Sequence, residues 1–127
     1  MSHPYNTRSK KKSDIQSDVQ FIRDCLYRLE TTQSQPKQYL NEVFIMYLYL
    51  ANHITLFRFQ PIRKSITKMI KQHEDIVRQV RKKAEDVLSL HPVNTTREYT
   101  NANSMIQLTR QIDDIMIEVE LELLRYR

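Results

Sequence analysis

The sequence predicts an all-α protein, a four-helix bundle with a basic N-terminal arm. Three observations carry that expectation. First, the 127 residues contain no glycine. Glycine is the usual residue for positive φ, for two-residue hairpin turns and for close approach of backbone to phosphate. A P-loop and a G-x-G-x-x-G dinucleotide turn are therefore excluded, and a hairpin-rich β fold is disfavoured. Second, apolar residues recur at alternating steps of three and four over long segments, which is the period of one helical face. Third, prolines and polar runs separate those segments by short connections, as antiparallel helical neighbours require. A chain that is 40% hydrophobic and 28% charged is long enough to bury one core.

Residues 1–12 read as a flexible arm. They hold Arg8, Lys10, Lys11 and Lys12, no acid and no periodic apolar residue. They also lack the apolar core of a secretory signal, so an intracellular protein is expected. Residues 13–127 read as a single helical domain. Its first helix is expected over 13–30, where Ser13 and Gln16 fit a capping box. Its face is Ile15, Val19, Ile22, Leu26 and Leu29. The polar run before Pro36 ends it, and Pro36 suits the first turn of the next helix.

The second helix is expected over 36–59 and is the apolar centre of the chain. Residues 43–51 are nine consecutive apolar residues. A membrane span needs about 18 or more apolar residues almost free of strongly polar groups. Asn41, Glu42, Asn52, His53 and Arg58 interrupt this one, so a central helix buried on all sides fits better and membrane insertion is not expected. The third helix, over 61–90, opens with Pro61 and stops at His91-Pro92. It has the longest amphipathic pattern, Ile62, Ile66, Met69, His73, Ile76, Val80, Ala84 and Val87. The fourth is expected over 96–126, with Thr95 and Glu98 as a second capping box. Its face is Met105, Leu108, Ile112, Ile115, Val119, Leu123 and Tyr126. Faces this regular also suit a coiled coil with a second chain.

Catalytic and metal-binding patterns are mostly missing. His73-Glu74-Asp75-Ile76-Val77 begins like H-E-x-x-H and lacks the second histidine. No Glu stands three residues before a His, so the Glu-x-x-His pairs of di-iron bundles do not occur. His73 and His53 lie in apolar segments and read as hydrogen-bonded core histidines. Cys25 is the only cysteine, so no disulfide or zinc cluster is possible within the chain and a reducing compartment is expected. Asp114 and Glu118 share a helical face at i, i+4, the remote basis for a metal-dependent all-α hydrolase. No cofactor or metal site is expected.

Positive charge is concentrated in the arm and in residues 58–90, which hold nine Lys/Arg against four acids. Lys64, Lys68, Lys71, Arg78 and Lys82 recur along one stripe of the third helix, with Asp75 among them. Each lies two residues beyond a core position, about 200° around the helix, and the stripe runs for about 27 Å. Together with Arg8, Lys10, Lys11 and Lys12, it is a candidate surface for nucleic acid or an acidic partner. The aromatics Tyr39, Phe44, Tyr47, Tyr49, Phe57 and Phe59 outnumber what one helical core needs. Tyr39, Tyr47, Tyr49, Phe57 and Phe59 are accordingly expected at a protein interface.

The opening Pro4-Tyr5-Asn6-Thr7-Arg8-Ser9-Lys10 resembles the starts of some viral and retroelement structural proteins over seven residues. The expected function is a non-enzymatic helical structural or interaction subunit of a larger assembly, with a viral particle or nucleoprotein complex as one setting. A protein partner or homo-oligomer is expected. The alternative is a nucleic-acid-binding bundle acting non-specifically through the arm and the stripe.

Overall fold

A computed structural model describes the backbone of residues 3–90 and 97–126 and the side chains of residues 15–90 and 97–126. Among these residues the chain is all-helical and has no strand. The order is α1 (His3–Thr31), α2 (Pro36–Asn52), a 3₁₀ segment (Ile54–Arg58), α3 (Gln60–Leu90) and α4 (Arg97–Leu124).

The bounds of α1 take in the arm, so the helix does not begin at Ser13 as the capping box suggested. Proline is tolerated in a first turn, where Pro4 stands, and no further proline or glycine follows to stop the helix. Arg8 and Lys10 to Lys12 are also good helix formers. Their side chains lie outside those described, as do Ser13, the His91-Pro92 stop and the Thr95 cap.

Pro36 occupies the first turn of α2, as expected. The helix ends at Asn52 and does not continue to residue 59. Two polar side chains bond back to carbonyls near the C-terminal end of the helix. Asn52 Nδ2 donates to Leu48 O at 3.0 Å, and His53 Nδ1 lies 2.8 Å from Tyr49 O. The His53 amide then bonds Leu50 O at 3.1 Å, three residues back, and the chain tightens into the 3₁₀ segment. This turn swings Phe57 inward, where it is fully buried, and leaves Phe59 37% exposed. Arg63 Nη1 donates to Phe57 O at 2.6 Å, which ties the segment to α3.

One apolar cluster joins all four helices and the 3₁₀ segment. It includes Ile22 and Leu29 of α1, Leu40, Met46 and Leu50 of α2, Ile66 and Val77 of α3, and Ile112 and Val119 of α4. A second, small cluster of Ala84, Ala102 and Ile106 closes the other end of the α3–α4 pair. α2 is the central element and touches α1, α3 and α4, while α3 and α4 pack along each other. No described helix is long and apolar enough to cross a membrane.

Candidate interaction surface

Polar side chains set how the helices lie against one another. Arg28 of α1 donates through Nε to Glu42 of α2 at 2.8 Å. Tyr49 of α2 donates its hydroxyl to Asp18, and its ring is stacked between Phe21 at 4.2 Å and His53 at 4.0 Å. On the other side, Arg81 of α3 pairs with Asp113 of α4 and donates through Nε to Thr109 Oγ1 at 2.9 Å. Lys71 Nζ lies 3.8 Å from Glu120 Oε2, and the Arg63 guanidinium sits 4.7 Å over the Tyr126 ring. Residue numbers rise along α3 as they fall along α4, so the two helices are antiparallel in a defined register.

A buried polar cluster lies between α2, α3 and α4. The Tyr47 hydroxyl is 2.5 Å from His73 Nδ1. Burial pushes the Tyr47 phenol well up and the His73 imidazole down to about 4. Tyr47 is therefore the donor and neutral His73 the acceptor. The expectation of a hydrogen-bonded core histidine holds for His73, and His53 also finds a partner. The Glu74 carboxyl beside them is pushed up to about 7, first by burial and then by Glu120. Among the described residues, Tyr39 Oη and Glu74 Oε1 are buried without a hydrogen-bond partner.

That difference between the two tyrosines makes a prediction. Tyr39→Phe removes a buried hydroxyl whose desolvation is uncompensated, so it is expected to stabilise the fold by about 1 kcal/mol. Tyr47→Phe strands His73 Nδ1 and is expected to destabilise by about 1–3 kcal/mol. Urea unfolding of the two variants checks both signs. Equal destabilisation by both would contradict the assignment.

The burial of Tyr39, Tyr47 and Phe57 corrects the expected interface. All three are fully inaccessible, because one face of α2 packs against the other helices and the 3₁₀ turn folds Phe57 back; α2 is not buried on all sides as expected, since Ile45 and Leu48 on its other face are exposed. Tyr49 is half-buried and engaged by α1. Of the five expected interface residues only Phe59 stands at the surface.

The basic stripe is arranged differently. Lys64, Lys68, Lys71, Arg78 and Lys82 are all exposed on α3. Lys71 lies within ion-pair distance of Glu74 and Glu120, and Arg78 within 3.2 Å of Asp75. Lys64, Lys68 and Lys82 have no ion pair among the described residues. The stripe borders a groove of about 510 Å³ between α3 and α4. Arg63, Lys64, Lys68 and Lys71 line one wall; Glu120, Leu123, Leu124 and Tyr126 line the other.

Beside the groove, α4 turns a second apolar stripe to solvent. Ile117 is 56% exposed, Leu121 60% and Leu124 49%. Their spacing of four and three is a helical signal that the sequence reading did not separate from the core face. Asp114 and Glu118 are exposed on the same helix. Among the described residues no group of three or more His, Cys, Asp or Glu side chains could hold a metal ion.

Comparisons with protein-family models, curated proteins and solved structures find no match.

Proposed function

We propose that the protein is a non-enzymatic helical interaction subunit of a larger assembly, a four-helix bundle that docks a protein partner on the surface shared by α3 and α4. The exposed stripe Ile117, Leu121 and Leu124, set beside a groove with a basic wall, supports this most directly. Three large aliphatic side chains in register, each about half exposed or more, form a contiguous apolar strip, and such strips mark interaction surfaces more often than scattered single residues do. The buried thiol of Cys25 forms no disulfide and is pushed up by burial, which supports an intracellular setting or a particle assembled there. A virion or nucleoprotein complex is one such assembly.

A second reading, non-specific nucleic-acid binding, draws on Lys64, Lys68 and Lys82, which stand exposed in one row and have no ion pair among the described residues. Neutralising phosphates releases counterions, so such binding weakens steeply with salt. Affinity capture of the full chain, with and without nuclease, separates the two readings. Association that survives nuclease and moderate salt is expected. Association lost on nuclease treatment would overturn the protein-docking reading in favour of nucleic acid.

A further inference from the structure

The exposed stripe of α4 has opposite charges on its two borders. At 100° per residue, Leu124, Ile117 and Leu121 lie about 40°, 60° and 100° around α4 from Glu120, which faces Lys71 of α3. Asp114 and Glu118 lie further round, at about 120° and 160°. The stripe therefore has the basic row of α3 on one side and its own two acids on the other. The heights along the helix also correspond. Arg81 pairs with Asp113 and Lys71 with Glu120, so Arg78 stands near the level of Asp114, while Asp75 stands near that of Glu118 with Lys71 about one turn away.

We propose that the partner on this surface is a second copy of the chain, with the two α4 helices packed side by side and parallel about a two-fold axis. The inference rests on the α3–α4 docking reading and names its occupant. A two-fold axis lying in the interface along α4 preserves height and exchanges left with right. Ile117, Leu121 and Leu124 then meet their own counterparts, as isologous contacts require. The acidic border of each copy falls on the basic border of the other, placing Asp114 opposite Arg78, the one pairing that the register supports. An antiparallel pairing would set basic against basic and is disfavoured. The 4, 3 spacing of the stripe is also that of a coiled-coil seam. Neither Asp114 nor Glu118 has an ion pair within its own chain among the described residues, so both are available to the partner copy.

Sedimentation of the full chain across concentration, from the micromolar to the millimolar range, tests the proposal. The wild type is expected to shift from the 15.4 kDa monomer towards twice that mass. Asp114→Arg and Arg78→Asp change residues exposed to solvent, and circular dichroism checks that both variants remain helical. Each alone is expected to weaken dimerisation tenfold or more, and an equimolar mixture of the two should restore it as a heterodimer. A wild type that stays monomeric at all concentrations overturns the proposal. So does a dimer that neither charge change weakens, or a mixture that shows no recovery. Nuclease-resistant capture of a different protein by a strictly monomeric chain would leave the docking reading standing while this inference falls.

Discussion

Glu74→Gln is expected to make stability climb more steeply with pH between about 4.5 and about 6.5 than it does in the wild type. A buried and a half-buried group act in opposite directions over this range. Burial lowers His73 from its ordinary 6.5 to about 4. Its contribution is complete above 6.5 and is lost as pH falls towards 4, because the unfolded chain takes up a proton that the folded chain refuses. Glu74 is raised from 4.5 to about 7 by burial and by Glu120. Its contribution is complete below 4.5 and is lost as pH rises through 7, because the unfolded carboxyl ionises first. Between about 4.5 and 6.5 the two slopes oppose each other. Removing the carboxyl leaves the histidine slope alone, which approaches about 1.4 kcal/mol per pH unit. His73→Gln should show the converse, a decline from pH 4.5 to 7. Urea-unfolding midpoints across this range for the wild type and both variants decide it. Parallel curves for all three would show that these groups do not titrate as their burial dictates.

Phe57→Ala is expected to cost about 3–5 kcal/mol, enough to unfold a large share of a marginally stable domain at 37 °C. Phe57 is fully buried, yet it belongs to a five-residue 3₁₀ segment and not to a long helix. Its ring holds the connection between α2 and α3 against the core, and its carbonyl accepts from Arg63. Loss of the ring leaves a cavity and loosens the segment that fixes where α3 begins. The neighbouring Phe59→Ala, at a partly exposed position, should cost far less, about 1 kcal/mol. Thermal unfolding monitored by circular dichroism compares the pair. Similar losses at both positions would contradict the inward placement of Phe57.

These two residues show what the sequence could and could not convey. The number and order of the helices were legible, because a repeat of three and four is a local property, but the start of α1 and the end of α2 were not. So were the proline at the start of α2 and the exposure of the α3 lysines. The exact face of α3 was less so. Its buried positions are Ile62, Ile66, Ile70, His73, Val77, Val80 and Ala84, where the sequence pointed to Met69 and Ile76 in place of Ile70 and Val77. The observed steps average about 3.7 residues, close to a straight helix, whereas the strict heptad reading assumes 3.5. Both sets are apolar, so pattern alone does not choose between them.

The aromatic residues were misread for a different reason. Tyr47 is satisfied by His73 and Tyr49 by Asp18, partners far away in the chain that no local period encodes. A surplus of aromatics counted along one segment became core once three other elements enclosed it. The candidate surface was half legible. Its lysines stood out as a stripe, but its apolar half was hidden among the core positions of α4. Only the rotation of α4, pinned by Arg81 with Asp113 and Lys71 with Glu120, separates Ile117, Leu121 and Leu124 from the residues that face inward.

The docking role of the α3–α4 surface is tested most directly by capture with two matched surface variants in the presence of nuclease. Ile117→Lys/Leu121→Lys alters the α4 stripe, and Ile45→Lys/Leu48→Lys alters exposed apolar residues on α2. Both substitute solvent-exposed positions and leave the core intact. Capture is expected to disappear with the α4 variant and to persist with the α2 variant. Capture that survives the α4 change, or is lost only with the α2 change, would contradict the assignment of this surface.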